Sequence, residues 1–188
     1  FPPKVDFKSE VMSYCSYCRS QDENSLHKWY HDEVYGRMSK TDDELFGRLI
    51  MEINQAGLSW DIVLNKYADI KKAYAHFSIV KIAAFKNKEI YILKNNAKVI
   101  RHELKIRSIV YNAQQILRIQ KEFGTFGIWI LKNQQNSIEN WTRIFKKNFK
   151  FVGKEIVSEF LKSNGIIPGA HDEDCPVYHK LKKNEVNT

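Results

Sequence analysis

No run in this sequence approaches the roughly 20 consecutive apolar residues that a membrane-spanning helix needs, so none is expected. The start, Phe1-Pro2-Pro3-Lys4-Val5-Asp6, lacks the charged head and apolar stretch of a signal peptide. Cysteine is scarce. Three in 188 residues is an odd number, which fits reduced thiols or a metal site better than a disulfide framework. Cys15 and Cys18 form a C-x-x-C, but no second one exists, which excludes zinc-ribbon and ferredoxin arrangements. Internal repeats, low-complexity blocks and convincing strand patterns are also missing. Helical periodicity remains, and it predicts an all-α fold of about seven helices.

What is present is apolar and basic. The chain is 43% hydrophobic, enough for one sizeable core, read as a single domain over 15–179 between an arm (1–14) and a basic tail (180–188). Thirty Lys and Arg against 22 Asp and Glu give a formal charge of +8, which favours a polyanionic partner: nucleic acid, or an acidic membrane surface less readily. An aromatic content of 13% suits base stacking.

The most informative stretch is Met51-Glu52-Ile53-Asn54-Gln55-Ala56-Gly57-Leu58-Ser59-Trp60. A capping box, Thr41-Asp42-Asp43-Glu44, opens a helix whose apolar face holds Leu45, Phe46, Leu49, Ile50 and Ile53. Glu52 shares the edge of that face, where a carboxylate is costly unless paired. Ala56-Gly57 ends the helix, and Ser59 caps a second one that begins at Trp60 and reaches about Ala75, with Ile62, Val63, Tyr67, Ile70 and Tyr74 inward. The corner is either a snorkelling glutamate beside a core tryptophan, or a pocket for a flat, polar ligand.

Residues 98–107 read as a tight turn into a long helix, with Leu104, Ile106, Ile109, Val110, Ala113, Ile116 and Leu117 at helical spacing. Its start offers backbone N–H groups to a phosphate, with Arg101, Lys105 and Arg107 adding charge. Towards the termini, Cys15, Cys18 and His31 face His171-x-x-x-Cys175. They form either a tetrahedral Cys-His-His-Cys zinc site or a set of separate thiols. The pairs His31-Asp32 and His171-Asp172 admit a third reading, a metal-dependent phosphohydrolase.

In chain order, Tyr30-His31-Asp32-Glu33, Leu45-Phe46, Glu52-x-x-Gln55-Ala56-Gly57-Leu58-Ser59-Trp60, Ile100-Arg101-His102-x-x-Lys105-Ile106, Asn112-Ala113, Phe149-Lys150-Phe151-Val152-Gly153 and His171-x-x-x-Cys175 resemble the DNA-3-methyladenine glycosylase I family. The resemblance spans about residues 15–179. It implies a helix-hairpin-helix glycosylase fold, with a structural zinc stapling a lobe built from about 15–36 and 165–179. The implied ligands are His31, His171, Cys175 and Cys15, with Cys18 as the alternative to Cys15. The implied activity is monofunctional excision of 3-methyladenine from alkylated double-stranded DNA, releasing the free base, by a bacterial cytoplasmic monomer at the nucleoid.

The same resemblance implies that Glu52 reads the base edge while Tyr30 and Trp60 wall it, with Tyr17 and Tyr35 as further wall. The family usually reads Tyr-His-Asp-x-Glu-Trp-Gly. Val34 and Tyr35 replace Glu-Trp here, and Tyr17 stands where tryptophan is common. These departures motivate an alternative, a non-catalytic relative that binds modified bases.

Overall fold

The computed structural model describes residues 12–186; residues 1–11 of the expected arm and 187–188 of the expected tail lie outside the described residues. Among those described there are twelve α-helices and no strand. In order they are α1 (Tyr14–Arg19), α2 (Leu26–Trp29), α3 (Asp42–Gln55), α4 (Trp60–Asn65), α5 (Tyr67–Ala73), α6 (Ile79–Ala83), α7 (Asn87–Asn95), α8 (Glu103–Phe123), α9 (Phe126–Lys132), α10 (Ile138–Asn148), α11 (Lys154–Ser163) and α12 (Pro176–Val186). A π-helical turn spans Tyr30–Val34 and a 3-10 turn Ala75–Phe77. No helix among the described residues is long and apolar enough to cross a membrane. The chain divides into two compact units, Phe1–Met38 with Leu161–Thr188, and Ser39–Phe160.

In the second unit, the Thr41 hydroxyl accepts from the Glu44 N–H, and the Glu44 carboxylate accepts from the Lys40 N–H at 2.9 Å. The helix so started, α3, buries Leu45, Phe46, Leu49, Ile50 and Ile53 along one stripe. It packs on α8, whose Ile106, Ile109, Ala113 and Ile116 are fully buried, and α6 adds Ile79 and Ile82 to the same core. Each such isoleucine, leucine or phenylalanine contributes about 1.5–3 kcal/mol on leaving water, and Ala113 less. Leu104, expected inward, is exposed on the first turn of α8. A second layer is aromatic: Phe126, Trp129, Phe145, Phe149 and Phe160 stack or meet edge-on. Phe149 is thus core.

The single helix expected from Trp60 to Ala75 is broken. At Lys66 the backbone leaves helical geometry (φ −96°, ψ 4°), which separates α4 from α5 and leaves Ile62 exposed rather than inward. Ala75, His76 and Phe77 then turn left-handed, with φ of 49°, 57° and 66°. That geometry costs L-residues roughly 1–2 kcal/mol each. Burial of the Phe77 ring offsets part of the cost, and Gly47 of α3 makes room for it. A Cβ on Gly47 would lie 2.4 Å from the Phe77 ring. Gly47→Ala should therefore destabilise the protein by about 1–3 kcal/mol, read as a lower melting midpoint. An unchanged midpoint would mean that the ring swings aside freely.

In the first unit, the Ser13 hydroxyl caps α1 by accepting from the Ser16 N–H at 3.1 Å, and Ser25 caps α2. Pro176 opens α12, where its missing N–H costs nothing. The expected basic tail is therefore helical from residue 180 to 186. The apolar core around Cys15, Cys175 and Val177 is small, with Tyr178 and Leu181 packed against it. A core of that size needs a further constraint to stay ordered.

Candidate functional site

Two places carry unusual chemistry, one in each unit. In the first unit, α1 supplies Cys15, the π-helical turn supplies His31, and the segment before α12 supplies His171 and Cys175. All four residues are buried, and their ligand atoms lie within 4.8 Å of one another. His31 Nε2 and His171 Nδ1 are 3.2 Å apart. Cys15 Sγ is 3.2 Å from His31 Nε2 and 3.7 Å from His171 Nδ1. Cys175 Sγ is 3.7 and 3.9 Å from the same two nitrogens.

The outer contacts fix the tautomers. His31 Nδ1 donates to the Asp32 carboxylate at 2.6 Å, and His171 Nε2 donates to the Tyr35 carbonyl at 2.9 Å. Both inward nitrogens are then lone-pair acceptors facing each other, an arrangement that a cation between them satisfies. The Asp172 N–H donates to Cys15 Sγ at 3.3 Å. Burial pushes the Cys15 thiol up to about 12 and holds His171 below its usual range. Buried thiols of this kind ionise when a metal compensates the charge. The cluster could hold a metal ion.

Cys18 lies outside the cluster, its Sγ 3.5 Å from the His27 carbonyl. Gly36 backs His171 closely, with φ at +76°; a Cβ there would lie 3.0 Å from the ring. The phosphohydrolase reading fails on this geometry. Asp32 sits on the far nitrogen of His31, and the inward partners of the histidines are thiols rather than carboxylates. Tyr35 is buried against His171, and Tyr30 lies 5.9 Å from Tyr35, ring centre to ring centre. Tyr17 is half-buried against Tyr14 and His27.

In the second unit, Glu52 sits on the last turn of α3 and is 5% exposed. Its carboxylate has no hydrogen-bond or ion-pair partner among the described residues. Burial, with Glu159 adding and Arg48 opposing, pushes its pKa up to about 8. Glu159, on α11, is itself 4% exposed, so a second buried acid acts on Glu52. The sequence reading missed Glu159, although an acid beside Val157, Phe160 and Leu161 on an apolar helix face was a visible signal. Past the end of α3, Gly57 has φ +77°, the Leu58 N–H bonds the Gln55 carbonyl at 2.8 Å, and Ser59 caps α4. Trp60, the first residue of α4, is buried.

The basic residues separate. Arg101 is exposed. Arg107 is exposed but paired with Glu103 at 2.9 Å, and Lys94 shares that carboxylate at 2.6 Å. Lys105 corrects the sequence reading. It is 3% exposed, and its Nζ donates to the carbonyls of Asn54 and Ala56, at 2.9 and 2.6 Å. It is turned into the core, away from any phosphate, because it lies on the stripe shared with Ile109, Asn112 and Ile116.

Fold and site define an all-helical protein with a metal-capable Cys-His-His-Cys cluster in one unit and a buried acid at a helix corner in the other. The methyladenine glycosylase family model matches residues 20–147, and the chain belongs to that family. The DNA-3-methyladenine glycosylase of Haemophilus influenzae is 30% identical over 179 residues, covering 85% of this chain and 96% of that protein. DNA-3-methyladenine glycosylase 1 of Escherichia coli is 28% identical over 180 residues, covering 86% and 96%. The solved structure of 3-methyladenine DNA glycosylase I from Staphylococcus aureus, a study of 3-methyladenine recognition, matches with a TM-score of 0.77 at 26% identity, over 88% of this chain and 97% of that one. A variant of 3-methyladenine DNA glycosylase I solved in complex with 3-methyladenine matches equally, with a TM-score of 0.77.

Proposed function

We propose that this chain is a monofunctional DNA glycosylase that turns 3-methyladenine out of alkylated duplex DNA and releases it by hydrolysis. The observation that carries the reading is Glu52, a buried carboxyl with no hydrogen-bond or ion-pair partner among the described residues, at the helix corner between α3 and α4. Methylation at N3 makes the purine cationic. A cation docked against Glu52 restores what burial took away, and the low-dielectric surroundings enlarge the attraction. The carboxylate also accepts a hydrogen bond from the exocyclic amine. Stacking on an aromatic face such as Trp60 adds roughly 1–3 kcal/mol for any base, so selectivity rests on Glu52.

Chemistry at the sugar then needs little help. Water forms the new C1′–O bond and loses a proton to solvent. The C1′–N9 bond breaks, and its electron pair neutralises the departing purine. Turning the base out of the stack exposes this bond. Chromatographic detection of free 3-methyladenine from methylated DNA tests the assignment; tight binding without release would favour the non-catalytic relative instead.

Zinc is the metal we assign to the cluster. Around a tetrahedral zinc, two nitrogens lie roughly 3.3 Å apart, and a nitrogen and a sulfur roughly 3.6 Å. The observed separations of 3.2 Å and 3.2–3.9 Å suit that geometry. With Cys15, His31, His171 and Cys175 as ligands every position is filled, so the zinc is structural and joins the N- and C-terminal segments.

Duplex binding is assigned to Arg101 and the start of α8. The net charge of +8 supplies the general attraction. Arg101→Ala should weaken binding to damaged and undamaged duplex alike and lower the salt slope by about one. A loss confined to damaged DNA would make Arg101 a lesion contact.

A further inference from the structure

Lys105 is a buried ammonium that the proposed reaction does not use, and it has no carboxylate in ion-pair range among the described residues. Its Nζ donates to two main-chain carbonyls, Asn54 at 2.9 Å and Ala56 at 2.6 Å. The Phe151 ring lies 5.9 Å from the same nitrogen. Phe151 itself is held left-handed, at φ 58°. The Asn112 side chain brackets the preceding residue, donating to the Lys150 carbonyl at 3.0 Å and accepting from the Lys150 N–H at 2.8 Å.

The two carbonyls belong to the end of α3, where acceptors lack helical partners and the macrodipole is negative. A cation placed there meets both needs at once. The Ala56 N–H, in turn, donates to the Glu52 carbonyl at 3.2 Å. The ammonium is therefore two hydrogen bonds from the backbone of Glu52. On the other side, three residues separate Ala56 from Trp60, and they include Gly57 in left-handed geometry.

We propose that Lys105 is a positioning residue: by clamping the carbonyls of Asn54 and Ala56 from α8, it holds the corner between Glu52 and Trp60 in its base-reading geometry. This rests on the assignment of Glu52 as the reader of the base. A flexible lysine stem alone would not hold a position, but burial from both α3 and α8 leaves the ammonium one place to go. Misplacement of a reading group by about 1 Å can cost a hundredfold in rate.

The test uses the full chain. Lys105→Met keeps the length and apolar stem while removing the donors. At a temperature well below its melting midpoint, it should lower kcat for base release about tenfold to a hundredfold and weaken binding of free 3-methyladenine, with KM for duplex little changed. Lys105→Arg, which can still donate to two carbonyls, should restore part of the loss. In the Glu52→Gln background, Lys105→Met should cost little more, because both act through one carboxylate.

Full kcat and base affinity in folded Lys105→Met would overturn the proposal, as would a loss that adds in full to that of Glu52→Gln. A parallel fall in binding to undamaged duplex would make Lys105 a phosphate contact instead. If Glu52→Gln alone keeps full base affinity, the reading of Glu52 is what fails. Should Lys105→Met not fold, the unsubstituted protein still decides. Its Lys105 ammonium should give a slowly exchanging nitrogen-15 signal that shifts on adding 3-methyladenine; rapid exchange like that of a surface lysine rules the clamp out.

Discussion

Glu52→Gln should make the protein more stable and much less active. The sign follows from burial. Folding raises the Glu52 pKa from 4.5 to about 8, chiefly by desolvation, with Glu159 adding and Arg48 opposing. Between those values the unfolded chain has lost a proton that the folded chain keeps. Stability therefore falls as pH rises through this window. Above it, the ionised carboxylate costs on the order of a few kcal/mol. Gln has no proton to lose, so the variant should melt higher than the parent at pH 8 and show a flatter stability–pH curve. Base release should fall about tenfold to a hundredfold, the worth of a hydrogen bond to a charged group. Binding to undamaged duplex should hardly change. A folded variant with full excision and undiminished affinity for 3-methyladenine would sink the assignment. A variant less stable than the parent at pH 8 would mean that Glu52 is a structural ion-pair member after all.

This trade explains why the corner was legible in the sequence and its surroundings were not. Glu52 on an apolar helix edge, the Gly57 break and the Ser59 cap are local signals, and local signals survive in a linear chain. The Thr41 cap of α3 was readable for the same reason. Lys105 was misread because it follows a turn, where a lysine is usually solvated; its spacing to Ile109, Asn112 and Ile116 was the better guide. The choice between Cys15 and Cys18 needed three dimensions. The two stand three residues apart, both are buried, and only the position of His31 and His171 separates them. Long-range hydrogen bonds left no trace at all. The Asp42 carboxylate accepts from the Phe126 and Gly127 N–H groups at 2.7 and 3.1 Å, so one side chain at the start of α3 caps α9, more than eighty residues away.

Removing the proposed zinc should have the widest effect on the fold. Among the described residues of the first unit, the apolar cluster around Cys15, Cys175 and Val177 is small, and four buried candidate ligands converge from segments far apart in the chain. Without a cation, two histidine lone pairs face each other 3.2 Å apart, and burial holds the Cys15 thiol protonated. His171→Ala or Cys175→Ser should lower metal content and thermal stability together, by on the order of 4 kcal/mol or more. That corresponds to a fall in melting midpoint of roughly 10 °C. Cys18→Ser is the matched control, since its sulfur bonds a backbone carbonyl outside the cluster; it should keep the metal and lose little. Asp32→Asn probes the outer contact. Its neutral amide holds the His31 proton less firmly, so metal affinity should drop by about tenfold while the fold survives at saturating zinc. Elemental analysis alongside calorimetry reads all four variants. A metal-free parent protein that melts where the loaded one does would end the assignment, and a Cys18→Ser variant that loses its metal would move the fourth ligand from Cys15 to Cys18.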